Sequence, residues 1–516
     1  MTLLRPALLS LCLVLTAPGM TSAQPADALP DDIAAALSAQ DYVTARTALT
    51  PLSAQDGQAW AQFRLGVLLV QGQGGPRDIE GGIALLEQAL EGGTSAAGTL
   101  LARMFLTGQG AGVDRDPARA AGYLGPLAEE GVAEAQYYLA LLHDSGAGVP
   151  QDAERALTLL RAAATQGHTD AQYDLSKRLS RGEESPEATA EAVRWLAAAA
   201  EGGHVEAQYF LAFALDTGNG IAPDKPAALN WYRRAAEGGM PIAQRTLGTK
   251  HLLGSDGAAQ DAGEALRWLN AAAEAGDPGA MMNLALAYGG AGAVPVDDAA
   301  AATWLDRASE AGLGQASFLL GQYIETGRGM GAPDVKTAAR YYRLAGEQGY
   351  QDGPVRLGTL VAEGALDGIV PPHMAVDWVV MAAAEGADAA RGWLRTQADQ
   401  DLRAAQAALG ALLLDTDGDA TRALPYLARA AETGDVPAQF RLATLYATGN
   451  GTALDYVQAH AWFNIAATRG HAEAGAQRDV LGKLMTPDQV SAAQAQVRTF
   501  FDTASDRIPA AARTQP

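Results

Sequence analysis

The sequence predicts an all-α fold, a right-handed α/α solenoid of about eleven helical-hairpin repeats, each 36 to 38 residues long. Three observations carry that expectation. The octapeptide AEAQYYLA at 133–140 returns as TDAQYDLS at 169–176, VEAQYFLA at 205–212 and VPAQFRLA at 436–443. The first two steps are 36 residues each, and the last is 231, a little over six periods. Within a unit the apolar residues follow helical spacing, and glycines recur at two fixed places.

The elements follow in chain order. The opening MTLLRPALLSLCLVLTAPGMTSA has one cation, Arg5, an apolar run from Ala7 to Ala17 and small residues at Thr21, Ser22 and Ala23. That pattern reads as a signal peptide over residues 1–23 and a periplasmic or secreted address. The eleven-residue apolar run falls short of the roughly 20 residues a membrane span needs. Cys12 is the single cysteine and lies inside this segment, so the processed chain is expected to hold neither disulfide nor thiolate metal site. Residues 24–57 read as a leader with a capping half-repeat, DDIAAALSAQDYVTARTALTPLSAQDG.

From 58 to 352 the repeats open at Ala61, Ala97, Ala135, Ala171, Ala207, Ala243, Ala280 and Ala316. In the third unit Ala135, Tyr138, Leu139 and Leu142 fall at i, i+3, i+4 and i+7, which is one face of a helix A. Ala156, Leu159, Leu160 and Ala163 repeat the spacing in a helix B. Glycines such as 72, 108, 146, 182 and 218 mark the turn after helix A; 131, 167, 202, 238 and 276 mark the end of helix B. A lone hairpin cannot bury its apolar stripe, so neighbours must stack.

Residues 353–404 depart from the pattern. Gly353 and Pro354 replace Ala-Gln, Pro371 and Pro372 interrupt the linker, and ARGWLRTQADQ (390–400) reads as a helix A without a helix B. The stretch reads as a degenerate joint between the first stack and a second one at 405–473, whose units open at Ala405 and Ala438. Residues 474–505 read as capping helices, with Thr486, Pro487 and Gln489 forming a capping box. The tail, 506–516, reads as disordered.

The signature A-x-Y-x-L-[AG], a glycine turn, then A-x-x-W-[LYF] and a glycine-terminated second helix resembles the Sel-1-like repeat, a relative of the tetratricopeptide repeat, over about residues 58–500. The resemblance implies an α-solenoid adaptor that holds other proteins, in bacteria often at the cell envelope. It implies no particular activity. Some cysteine-rich members have been linked to cell-wall or β-lactam chemistry, but this chain lacks their cysteine pairs.

Charge narrows the partners. The formal net charge is −22, and −23 once Arg5 is removed, so nucleic acid is an unfavourable partner and a basic protein surface a favourable one. Six of the eight tryptophans, at 195, 231, 268, 304, 378 and 462, share the fourth position of A-x-x-W. Leu85, Tyr123 and Leu159 hold it elsewhere, as expected of a core position rather than a sugar-stacking ladder. His168, His204 and His471 precede a helix A by three residues, while His143 and His251 fall nine residues into one. Equivalent atoms in adjacent units lie on the order of 10 Å apart, too far for a shared ion. LDTDGDAT (414–421) has the wrong spacing for a calcium loop and reads as a turn. GQGAG (108–112) and GNG (218–220) follow helices and lack a lysine-serine tail, so they do not read as phosphate loops. No catalytic or cofactor motif is present in the sequence.

Counting from the opening alanine, positions 1, 4, 5 and 8 of helix A are expected to be buried, and position 3 to point the other way. Position 3 holds Phe63, Tyr137, Tyr173, Tyr209, Phe318 and Phe440; Lys177, Phe213, Asp144 and Asp216 lie on the same side. In tetratricopeptide-like solenoids this face lines the concave groove, so the resemblance makes Tyr137, Tyr173, Tyr209, Phe213, Lys177, Asp144, Asp216, Phe318 and Phe440 a candidate partner-binding groove. The alternative is that the aromatic residues are framework packed against the next helix A. The function expected is a periplasmic adaptor or regulator without enzymatic activity. An envelope or cell-wall assembly scaffold is the second reading, and a β-lactam- or peptidoglycan-acting enzyme the third.

Overall fold

A helical period of 36 residues leaves room for two short helices and two turns, and the structure, a computed structural model, shows that arrangement in the regular repeats. It describes residues 29–181 and 185–507, so the signal-peptide reading, the turn at Gly182 and the tail from 508 onward lie outside the described residues. The described chain is helical and turn-linked, an α-solenoid of hairpins. Two compact units divide it, one ending at Gln244 and including 256–258, the other comprising Arg245–Ser255 and residue 259 onward.

In the first unit, Asp31–Ser38 and Tyr42–Ser53 precede hairpins such as Ala133–Ser145 with Ala153–Thr165 and Val205–Thr217 with Lys225–Glu237. Ile33, Ala36, Ala45 and Leu49 of the leading pair are buried against Ala61 and Leu65. The second unit continues with hairpins such as Gly314–Thr326 with Val335–Glu347. It closes with Ala474–Gly482 and Pro487–Arg507. The expected capping box forms. Thr486 N donates to Gln489 Oε1 at 2.9 Å. In return, Gln489 N donates to Thr486 Oγ1 at 3.3 Å.

Helices B start on a side-chain cap, except Pro372–Ala384, whose N-cap is Pro371. Asp78, Asp116, Asp152, Asp224, Asp261, Asp297, Asp334, Asp419 and Asp455 accept an N–H from the first turn, as Ser185 does in one unit. Asp277 and Asp435 cap helices A in the same way. Part of the acidity is therefore structural, with carboxylates placed where the helix dipole favours them.

The core lies at positions 1, 2, 5, 6 and 8 of helix A, which corrects the expected stripe. Ala135, Gln136, Leu139, Ala140 and Leu142 are buried, whereas Tyr138 at position 4 is half-buried and Phe210, its equivalent, is exposed. Position 6 is small because helix B crosses there at a distance that leaves no room for a larger side chain. A Cβ on Gly358 would lie 2.0 Å from Trp378 O, and one on Gly321 would lie 2.7 Å from the Tyr342 ring. The A-x-x-W position packs against the core, as expected, but mostly at its edge. Trp195, Trp231, Trp304, Trp378 and Trp462 are half-buried and Trp268 alone is buried, while the residues that follow them include the deeply buried Tyr232, Leu269, Leu305, Val379 and Phe463.

Consecutive hairpins are joined by one recurring device. Helix B ends in a left-handed glycine, the conformation that stops a helix most cheaply when no Cβ is present. Its φ runs from 83° at Gly239 to 97° at Gly434. At two sites the stop is Gly203 and Gly239, one residue beyond the expected Gly202 and Gly238. In the third unit Gly167 N donates to Ala164 O at 3.0 Å and His168 N to Ala163 O at 3.2 Å. The same Ala164 O accepts a second bond, 3.1 Å, from the buried side-chain amide of Gln172 in the next helix A. Gln136, Gln208, Gln244, Gln406 and Gln439 repeat this bond to Ala128, Ala200, Ala236, Ala398 and Ala431 at 3.0 to 3.2 Å. Where Ser317 replaces glutamine, Gln348 of the following helix B supplies the amide to Ser309 O at 2.9 Å, and Ser317 hydrogen-bonds with Gln348 Oε1 and Ser309 Oγ.

The stretch 353–404 holds more structure than its sequence suggests. Asp352–Ala362 and Pro372–Ala384 form a hairpin, and Pro372 opens helix B at the first position, where proline is well tolerated, rather than interrupting it. Asp388–Asp399 is then a single additional helix. One buried cluster runs from Met282 to Leu445 through this whole stretch, so the core has no break there.

These contacts make the glycine and glutamine positions testable. Gly329 has φ +68° and a Cβ there would lie 2.2 Å from Asp298 O, whereas Gly331 has φ +94° and open space. Both alanine variants incur the left-handed cost, about 1–2 kcal/mol, but Gly329→Ala should be more destabilising by at least about 1 kcal/mol in urea denaturation. Gln172→Ala should lower stability by about 1–2 kcal/mol in the same assay, because Ala164 O keeps one of its two donors.

Candidate partner-binding surface

Position 3 of helix A meets the residue that starts the next helix A. Tyr137 stacks on His168 with centroids 4.7 Å apart and Phe440 on His471 at 4.0 Å, while Tyr173 meets His204 at 4.3 Å with the rings tilted. Phe318 meets Tyr350 in the same place at 5.3 Å. His168 and His204 are N-caps. The His168 Nδ1 accepts from Ala171 N at 3.3 Å, and the His204 Nδ1 accepts from Ala207 N at 3.2 Å. Accepting at Nδ1 fixes the proton on Nε2 in the neutral ring. A role for these histidines as caps and stacking platforms was not legible from their spacing alone.

The nine candidate residues separate once their surroundings are considered. Tyr137 is only 4% exposed, and its hydroxyl donates to Asp174 at 3.0 Å; it is framework and corrects the groove reading at that repeat. Burial, then Asp174, pushes its phenol up. Asp144 is held by Arg178 at 2.7 Å and Asp216 by Lys225 at 2.7 Å, so both aspartates serve the scaffold. Tyr209 is half-buried between Phe210 and Tyr232. Phe440 is half-buried on Phe463 and His471.

What remains on the first unit is an aromatic patch. Phe210 and Phe213 are 43% and 44% exposed and lie one turn apart on Val205–Thr217. Phe210 stacks on the half-buried Tyr173 at 6.2 Å, and Lys177 Nζ sits 5.0 Å over the Tyr173 ring. Burial, then Glu206, pushes the Tyr173 hydroxyl up to about 12. Sequence reasoning misses Phe210 because it places position 4 in the buried stripe. The occupants of that position elsewhere, Arg64, Asp174 and Arg441 among them, are the signal that it is a surface position.

On the second unit, Phe318 borders a groove of about 600 Å³ with Val355 and Thr359, the third and seventh positions of the next helix A. Gln351, Asp352, Arg356, Met381, Ala384 and Glu385 complete it.

The other chemistry-bearing residues are tied into the scaffold. His143 and His251 place Nδ1 3.1 and 3.0 Å from Pro150 O and Ala259 O, holding the turn after helix A. In LDTDGDAT, Asp415 pairs with Arg441, Asp417 with Arg391, and Asp419 caps the following helix. Arginines lie over the helix-B aromatic residues, as cations do over ring faces. Arg234 sits on Trp231 at 4.6 Å and Arg307 on Trp304 at 4.8 Å.

Nine stretches match the Sel1 repeat: 61–94, 96–132, 133–168, 169–204, 205–240, 241–277, 278–313, 314–350 and 436–471. The chain belongs to the Sel1 repeat family. Among solved structures it is similar to a protective antigen of uropathogenic Escherichia coli displaying an SLR fold, with 26% identity over 89% of this chain and 95% of that one and a TM-score of 0.57. It is also similar to a Sel1 repeat protein from Oxalobacter formigenes, with 30% identity, 61% and 89% coverage and a TM-score of 0.44. No curated protein matches the chain. Sel1 repeat proteins are generally protein-interaction adaptors. Among the described residues of this one, no helix is long and apolar enough to cross a membrane.

The capping histidine makes repeat packing pH-dependent. Burial lowers the pKa of His168, against the opposing pull of Asp170, Glu134 and Asp174. A depressed histidine pKa means the stability is present above the unfolded value, about 6.5, and is lost as pH falls through the folded value. The thermal midpoint should therefore drop on acidification below about pH 6.5. His168→Asn, a cap that does not titrate, should reduce that slope in circular dichroism melts, leaving the part due to His460, which burial also lowers.

Proposed function

We propose that this chain is a non-enzymatic periplasmic adaptor that grips a segment of a partner protein on its helix-A face. The observation that carries the reading is the exposure of Phe210 and Phe213 beside Tyr173 and Lys177. Two phenylalanines lie one turn apart, each more than two-fifths exposed and outside the buried core, and rigid aromatic side chains with an adjacent cation are what protein interfaces use as anchors. Family membership supports a protein partner. The apolar, small-residue leader at 1–23 supports export. The capping and stacking roles of the histidines support a scaffold rather than a catalyst.

In-cell crosslinking from position 177 should capture the partner in the periplasmic fraction. Phe210→Ser with Phe213→Ser should then weaken the purified complex at least about tenfold while leaving the melting temperature nearly unchanged, as expected for anchors outside the core. Unchanged affinity in the folded double variant would remove this patch from the function, and recovery of the chain only from the cytoplasm would refute the address.

A further inference from the structure

The groove beside Phe318 differs from the aromatic patch in its electrostatics. Phe318, Val355, Met381 and Ala384 supply its apolar lining. The cation among its lining residues, Arg356, is already neutralised: its guanidinium donates to Glu325, at 3.2 Å from Nε, and lies 3.8 Å from Glu363. Two carboxylates among its lining residues, Asp352 and Glu385, have no cation partner among the described residues. Glu385 is the C-cap of Pro372–Ala384, where the helix dipole already places negative charge and the last turn supplies no basic residue. Arg391 reaches the same helix end at Ala383 O but is held by both oxygens of Asp417.

We infer that this groove seats a protein segment in which a bulky apolar side chain is flanked by lysine or arginine. The inference rests on the adaptor reading and deepens it by giving the partner a chemistry. The apolar side chain enters between Phe318 and Met381, and the flanking cations supply the counter-charge for Asp352 and Glu385. Complementary charge at such a rim governs selection and association rate, while the buried apolar anchor holds the complex.

Fluorescence anisotropy on the full processed chain tests this with short peptides that are identical except at their centres, Arg-Leu-Arg, Glu-Leu-Glu or Arg-Ser-Arg. The Arg-Leu-Arg peptide should bind at least about tenfold more tightly than either of the others. Asp352→Asn with Glu385→Gln should abolish that preference, as should Glu385→Lys alone, with the unfolding midpoint unchanged. Equal binding of the three peptides, or a preference that survives both variants, overturns the inference. Displacement by spermidine at equal charge concentration would assign a simple cation site and overturn it too. The adaptor reading fails separately: a crosslinked partner that depends on Phe210 and Phe213 but ignores Asp352 and Glu385 sinks only the groove, and one indifferent to both surfaces sinks the adaptor reading.

Discussion

At the junctions that carry a glutamine or its substitute, a single carbonyl oxygen at the end of one helix ties the turn to the next hairpin. A helix leaves its last carbonyls without donors, and one buried between two hairpins has no water to turn to. Ala164 O shows the solution: one lone pair takes Gly167 N–H from the left-handed stop, and the other takes the Gln172 amide from the next helix. The stop and the next hairpin are thus fixed by one atom. A change in the turn angle would break the glutamine bond, and loss of the glutamine would leave the turn less constrained. The exchange at Ser317 shows how strongly the requirement is felt, since Gln348 comes from a different helix to reach the equivalent oxygen, Ser309 O.

This junction also determines what the helix-A face can offer a partner. It brings the cap residue of one helix A against the third position of the preceding one, so an aromatic residue there acquires a ring to lie on. Tyr137 is consumed by that contact, while Tyr173 is covered on one side only and passes its free side to Phe210. The local surface is built from leftovers of the framework, and small differences at position 4 decide where apolar surface emerges. Tyr138 in one unit and Asp174 in the next leave no exposed aromatic ring, whereas Phe210 in the unit after them does.

Period, hairpins and the two glycine stops were readable because they repeat, and repetition converts weak local preferences into a strong signal. The burial register was not. An apolar stripe drawn from Ala135, Tyr138, Leu139 and Leu142 omits Gln136, which is buried because it is bonded, a fact no hydropathy pattern contains. The A-x-x-W position showed packing but not depth: Trp231 and Trp304 pack against the core with arginines on their outer faces, while Tyr232 and Leu305 fill the interior. The histidine caps were visible as a spacing but not as a role, because a neutral Nδ1 acceptor has to be seen beside its N–H.

The additional helix at Asp388–Asp399 shows what a local junction permits. It begins like a helix A, after the left-handed Gly386, and ends like a helix B, with Asp401 at φ +63° in place of glycine and Leu402 N bonded to Gln397 O at 3.0 Å. Ala398 O then accepts both Asp401 N–H and the Gln406 amide, the same two donors found at the junctions that carry the glutamine. A left-handed aspartate costs more than glycine, a penalty that a local hydrogen bond can offset. Asp401 accepts such a bond from Gln406 at 3.1 Å. Because a junction of this kind uses only one carbonyl, one left-handed residue and one amide, an odd helix can enter the solenoid without interrupting the core from Met282 to Leu445. The hairpin is therefore the unit of the sequence repeat, but the unit of assembly is the helix-to-helix junction, which explains why a stretch that broke the sequence pattern did not break the fold.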